Sequence, residues 1–265
     1  LQRLQADPAA ASSWKQAKLH QALAQAEAVV NLAGEPIAEK RWTPQHLQLL
    51  NSSRIATTHA LVEAMAALPE DQRPGVLING SAIGYYGTSA SQQFSESSPA
   101  GSDVLGRLCE AWEREARAAE PLCRVVILRI GIVLGADGGA LGKMLPVFRL
   151  GFGGPIGDGQ QWMSWISRRD LCTLIATALA DSSYGGVYNA VAPNPCSMAI
   201  FAAALGRCLG RPSLLPVPGP LLQLLLGDGA KVVLEGQQVL PRRLQEQGFV
   251  FRDADLSAAL ASATS

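Results

Sequence analysis

The sequence predicts an α/β protein: an open, doubly wound parallel sheet with a small C-terminal α/β lobe. Three short, almost wholly apolar runs come first, at Ala28–Leu32, Gly75–Ser81 and Arg124–Ile130. None alternates polar with apolar residues, which is the pattern of strands covered on both faces. Between them lie two stretches of helical length and spacing, Pro44–Ala67 and Val104–Ala119. Strand, helix, strand, helix, strand at these distances builds right-handed crossovers and a parallel sheet.

Before the first strand, an Ala- and Gln-rich segment has helical spacing from Trp14 to Ala26. Thr43-Pro44 supplies a start signal for the long helix, since proline suits the first helical position. A polar loop runs from Gly87 to Asp103. The glycine-rich stretch from Gly135 to Gly159 reads as loop, apart from a short helix at Met144–Leu150. A helix then runs from Arg169-Asp170 to Leu179, and Tyr188–Val191 is one more strand. The expected division is a parallel-sheet unit over 1–140, rejoined by 166–192, and a C-terminal lobe from 141–165 and 193–265.

Composition excludes several function classes. Of 265 residues, 48% are hydrophobic and 17% charged, enough for a large core. The formal net charge is zero and the basic residues are scattered, so nothing draws the chain to nucleic acid or an acidic membrane. Five cysteines at 109, 123, 172, 196 and 208 show no Cys-x-x-Cys spacing. Neither a disulfide framework nor a metal site is expected, and reduced thiols point to the cytoplasm. No apolar run reaches the ~18 residues that span a bilayer, and no secretory signal is visible. His20, His46 and His59 fall on expected helices without ligand spacing.

In an open parallel sheet, ligands bind beyond the carboxyl ends of the strands. The first strand ends in Asn31-Leu32-Ala33-Gly34, small enough for close backbone approach to a flat or phosphorylated ligand, or simply a turn. The second ends in Gly80-Ser81, followed by Tyr85-Tyr86, which offers hydroxyls and aromatic faces or a packed aromatic loop. The third ends in Arg129-Ile130-Gly131-Ile132-Val133. Arg129 suits a phosphate or carboxylate ligand, with a structural ion pair as the competing role. Trp162 and Trp165 read first as packing aromatics of the lobe and second as a stacking platform. Asp170 reads as a charge partner for a helix start.

The order of these segments resembles a known family. NLAGEPIAEKRWTPQHLQLLNSSR (31–54), GSAIGYYG (80–87), LCEAWE (108–113), LRIGIVLGADGGALGKMLPVFRLGFGGPIGDGQQWMSWI (128–166) and LEGQQVLPRRLQEQGFVF (234–251) are similar to the epimerase-like, atypical short-chain dehydrogenases. The resemblance covers nearly all the chain from Val29 onward. It implies a Rossmann-type domain that binds NADP, with NAD as the alternative. Asn31, Leu32, Ala33 and Gly34 would then lie along the adenine-side ribose and pyrophosphate, Arg54 would reach a phosphate, and Gly80 and Ser81 would border the cofactor. Arg129, Gly131, Ile132 and Val133 would lie beside the nicotinamide half. Gly153–Trp165 and the C-terminal lobe would close over a small substrate, such as a sugar nucleotide.

Two departures from the family pattern stand out. Its opening G-x-x-G-x-x-G turn, which places backbone N–H groups on the pyrophosphate, has no counterpart in Leu1–Val30. The first βα unit, about 30 residues, is therefore expected to be missing. The family's active members also carry Tyr-x-x-x-Lys on the helix after the serine strand, and here Leu105 and Cys109 stand at those positions. Substrate polarisation would fall to Ser81 with Tyr85. Two functions follow from the resemblance: an NADP-dependent epimerase or oxidoreductase, or a low-turnover dinucleotide sensor or scaffold of the kind linked to cell or plastid division. A homo-oligomer is compatible with either.

Overall fold

The computed structural model describes residues 4–264. In chain order the strands are β1 (Ala28–Asn31), β2 (Val76–Ala82), β3 (Gln93–Phe94), β4 (Arg124–Ile130), β5 (Ile132–Leu134), β6 (Trp162–Met163), β7 (Trp165–Ser167), β8 (Gly186–Ala190), β9 (Cys196–Ser197) and β10 (Gln238–Val239). The α-helices are α1 (Ala11–Trp14), α2 (Ala17–Ala24), α3 (Pro44–Asn51), α4 (Thr57–Ala66), α5 (Val104–Arg117), α6 (Gly139–Arg149), α7 (Arg168–Ala180), α8 (Met198–Leu209), α9 (Gly219–Leu226), α10 (Lys231–Leu234), α11 (Arg242–Glu246) and α12 (Leu256–Thr264).

The central sheet has the order β1-β2-β4-β8, and every pairing in it is parallel. The three apolar runs are therefore adjacent strands, as their spacing predicts. Successive residues of a strand point to opposite faces, and here both faces are covered. Leu77, Val125 and Ile127 pack on one side with Leu61 and Met65 of α4 and Ala116 of α5. Val76, Ile78, Val126 and Leu128 pack on the other with Leu171, Leu174 and Ala178 of α7. A third apolar cluster joins Leu134, Leu141, Phe148 and Trp165 to Phe201, Leu205 and Leu260.

Caps fix the helix starts. Thr43 accepts a hydrogen bond from the His46 amide, Asp103 from Gly106 and Ser167 from Asp170. The carboxylate of Asp170 does more than balance a helix dipole. It is fully buried and accepts the backbone amides of Arg252 and Asp253, tying the C-terminal segment to α7.

Four local features refine the sequence reading. The stretch from Trp14 to Ala26 breaks into α1 and α2 around Lys15–Gln16. The stretch Pro44–Ala67 is helical throughout, but Ser52–Ala56 widens into a π turn that carries Arg54. The glycine-rich segment holds a longer helix, α6, which starts at Gly139. Finally, the chain leaves the central sheet after Ile130 and forms β5, which pairs parallel with β7. Gly131 makes that step possible: a Cβ there would lie 2.5 Å from the Ser164 carbonyl oxygen.

Candidate functional site

Register places Asn31 opposite Asn79, Ser81 opposite Arg129, and Arg129 opposite Asn189. Asn79 and Ser81 are two residues apart, so these rows share the face that packs against α5. At the carboxyl ends of the strands this face becomes polar. Asn31 donates to Thr58 and Asn79 and is almost fully buried. Arg129, 2% exposed, forms two hydrogen bonds with Glu113 of α5, 2.7 Å from Nε to Oε1 and 2.9 Å from Nη2 to Oε2. Glu113 is wholly buried, and it also accepts from the Ser81 hydroxyl at 2.8 Å and from Arg117 at 3.1 Å. The Arg129 guanidinium stacks 3.3 Å from the Tyr85 ring centroid and donates to the Tyr86 hydroxyl at 2.9 Å. Tyr86 in turn donates to Asn189, whose amide reaches the Leu240 carbonyl in the C-terminal segment.

Electrostatics follow from that wiring. Burial, acting alone, would lower the Arg129 pKa; its hydrogen bonds to Glu113 raise it above the usual value, so the guanidinium stays charged. Burial pushes the Tyr86 phenol up to about 12, against the opposing pull of Arg129. The network is a closed structural knot. Three of the residues that the sequence singles out are part of it. Arg129 is the structural ion pair, not a ligand for phosphate, because both carboxylate oxygens of Glu113 already hold it. The Ser81 hydroxyl is donated to Glu113, and the Tyr85 ring is the face on which Arg129 rests.

A cleft of about 440 Å³ opens beside the knot. It runs from the ends of β2 and β4, along the first turns of α5, to the segment from Asp228 to Gln237. Of the residues that the sequence singles out, Arg54, Gly131, Ile132 and Trp162 line it, together with Leu105 and Cys109. Asn31, Leu32, Ala33, Gly34, Gly80 and Val133 lie outside that wall, although Gly34 touches it through Arg54. A Cβ on Gly34 would sit 2.9 Å from the Arg54 guanidinium carbon. Trp42 also lines the cleft, and sequence reasoning missed it. Trp165, by contrast, is fully buried in the apolar cluster with Leu134 and Phe201.

Arg54 is 8% exposed and donates to the Leu50 and Glu35 carbonyls. Among the described residues no carboxylate pairs with it. Burial lowers its pKa from the usual arginine value. The Cys109 thiol is pushed up to about 12, by burial first and then by the nearby Glu113 charge, so it is neutral at ordinary pH. Among the described residues no cluster of side chains suits a metal ion, and no helix is long and apolar enough to cross a membrane.

With this geometry in view, the profile of the NAD dependent epimerase/dehydratase family matches residues 9–190. The chain belongs to that family. A second profile, a domain of unknown function (DUF1731), matches residues 217–263, where the tail resemblance lies. The epimerase family protein SDR39U1 homolog of Arabidopsis thaliana, described as chloroplastic, is 50% identical over 225 residues. That alignment covers 85% of this chain, which spans only 65% of the plant protein's length. SDR39U1 of Bos taurus is 42% identical over 243 residues, covering 90% of this chain and 82% of its own. The crystal structure of human SDR39U1 (isoform 2) with NADPH superposes with a TM-score of 0.87 at 37% identity, covering 92% of this chain and 85% of the human one. UDP-glucuronic acid 4-epimerase from Bacillus cereus, solved with NAD, shares the fold alone, with a TM-score of 0.72 at 18% identity. The Rossmann-type, epimerase-like character expected from the sequence is therefore shown.

Proposed function

We propose that this epimerase-family chain is an NADP-binding oxidoreductase whose cofactor lies along the strand ends, with Arg54 facing a phosphate and the Ile130–Ile132 backbone beside the nicotinamide. The observation that carries this reading is Arg54 itself. Among the described residues it is a buried cation in no ion pair, held by a π turn at the edge of a cleft, in a family built to hold a dinucleotide. π turns of this kind are often found at functional sites. The fit is chemical as well as positional: carbonyl oxygens take two of its five donors, and its charge is left for an anion. The bound dinucleotide supplies a hydride; the protein's task is to orient it and exclude water. A second reading, a dinucleotide sensor or scaffold with little turnover, is favoured by Leu105 and Cys109, which place no proton-transferring group where the family pattern has Tyr and Lys.

Calorimetric titration of the chain with NADPH and NADH tests the cofactor reading. Charged hydrogen bonds of this type contribute about 1.5–3 kcal/mol, so Arg54→Ala should weaken NADPH binding roughly tenfold or more while Arg117→Ala leaves it unchanged. Equal affinity in wild type and Arg54→Ala removes Arg54 from the site.

A further inference from the structure

We infer that the cleft takes a planar, apolar carbonyl compound of the quinone class rather than a sugar nucleotide. This rests on the cofactor reading above and names the substrate class for the same site. The first argument is the wall. Trp42 and Trp162 both line the cleft, and each indole N–H is already committed to a backbone carbonyl at 2.9 Å, of Ile37 and of Ala90. What the two rings offer a ligand is carbon surface. Val104, Leu105, Ile132 and Val232 continue that surface.

The second argument concerns the polar side chains in the same wall. Thr88 donates to Glu235 at 2.7 Å. Ser164 donates to the Gln237 carbonyl and accepts the Val239 amide, both at 2.9 Å. Asp103 is engaged as the cap of α5. Each sugar hydroxyl brings a donor and acceptors to a stretch of wall where these three side chains are already engaged, while the charged groups Arg54, Asp228 and Lys231 line other parts of the cleft. A buried polar group left without a partner costs about 1–3 kcal/mol, and a sugar ring carries several. A flat ring with two carbonyl oxygens carries far fewer and gains from two aromatic neighbours.

The third argument is proton supply. Reduction of an isolated ketone generates an alkoxide about as basic as hydroxide, near the ~15.7 of bulk water, and this needs an acid at hand. Neither position where the family pattern has Tyr and Lys provides one: Leu105 is aliphatic, and the Cys109 thiol, although it borders the cleft, is only 4% exposed. A quinone differs. It accepts a hydride, as a hydrogen nucleus with two electrons, from the dihydronicotinamide and becomes a phenolate-type anion. That anion has a basicity near tyrosinate, ~10, and takes its second proton from water. Quinone, NADPH and one proton give hydroquinone and NADP⁺, so atoms and electrons balance without a protein acid.

The test titrates the 265-residue chain with duroquinone, which has no free ring position for thiol addition, with and without NADP⁺. Tryptophan fluorescence is the readout, and UDP-glucose is the competitor. The expected result is saturable quenching that UDP-glucose does not displace. Trp162→Phe should reduce its amplitude, and Val104→Asp and Val232→Asp, both on solvent-accessible parts of the wall, should each weaken it tenfold or more. Circular dichroism of each variant shows that the fold is kept. Non-saturating quenching, displacement by UDP-glucose, or wild-type affinity in both aspartate variants overturns the inference. NADPH binding, followed by the cofactor's own fluorescence, separates the two readings. NADPH binding without saturable quinone binding sinks the substrate class alone, whereas saturable quinone binding without NADPH binding sinks the cofactor reading, and with it quinone reduction, while the class of ligand that the cleft binds stands.

Discussion

The two ends of helix α5 (Val104–Arg117) make opposite use of one stripe of side chains. Leu105, Cys109 and Glu113 recur every four residues, so they lie along one face. At the N-terminal end that face meets the cleft with an aliphatic side chain and a neutral thiol. One turn further on, it enters the sheet with a carboxylate that holds Ser81, Arg117 and Arg129. The difference teaches where polarity serves structure and where its absence serves a ligand. In this molecule the most conspicuous charges are locked away, and the open wall is mostly carbon.

The sharpest way to break that contrast is to remove Glu113. Deleting one partner of a buried ion pair leaves an uncompensated charge and costs about 3–5 kcal/mol. Glu113→Ala strands Arg129, which is 2% exposed, and also frees the Ser81 hydroxyl. Urea unfolding should show a loss of that size. A loss below about 1 kcal/mol would mean that the knot is hydrated and that its charges are not structural.

Next in size is Tyr86, which links Arg129 to Asn189. Hydrogen bonds to charged groups contribute about 1.5–3 kcal/mol, so Tyr86→Phe should destabilise the fold by that order at neutral pH. The tyrosine also gives an alkaline signature. Its folded pKa is raised to about 12 from 10.0 by burial. The stabilisation is therefore complete below the unfolded value and is lost as pH rises from 10 towards 12, at about 1.4 kcal/mol per pH unit. Cys109, raised to about 12 from 9.0, adds a loss of the same sign that begins near pH 9. In stability-versus-pH curves Tyr86→Phe should flatten the first component and leave the second. An unchanged slope above pH 10 would show that the Tyr86 phenol ionises as freely in the fold as in the unfolded chain.

These outcomes also bear on what the sequence could disclose. The sheet was legible because Val76–Ile78 and Val125–Leu128 are buried on both faces, and continuous apolar runs signal that directly. Positions at the strand ends were legible too, since topology alone sends ligands there. The roles of the polar residues were not. Ser81 and Arg129 look like chemistry in a linear reading, and what engages them is Glu113, which is 32 residues from Ser81 and 16 from Arg129 along the chain. No local pattern announces that meeting; it comes from how α5 packs on the sheet. Register, however, puts Ser81, Arg129 and Asn189 in one row, and a charged residue in such a row demands a partner on the covering helix. Trp42 was missed for the same reason, because its place on the cleft depends on a loop that folds back against the segment near Gly229. Leu105 and Cys109 were found only by counting along α5 against a family pattern, and both do line the cleft.

The smallest effect comes from the other arginine on the same carboxylate. Arg117 lies one turn beyond Glu113 on α5 and reaches its Oε2 at 3.1 Å, yet its own side chain is 41% exposed. Exposed ion pairs are typically worth about 0–1 kcal/mol, because water and salt already stabilise the partner that would be left. Removing Arg117 leaves Glu113 still bound by Arg129 and Ser81, so no buried charge is stranded. Arg117→Ala should therefore cost less than about 1 kcal/mol, and most of that should disappear at high salt. The informative measurement is the pair of variants together. If burial decides the worth of each pair, Glu113→Ala should cost several times more than Arg117→Ala, and adding Arg117→Ala to a Glu113→Ala background should cost almost nothing further. Comparable losses from the two single variants would show that Glu113 is held from the solvent side of α5, and the separation between a structural end and a ligand-facing end of that helix would fail.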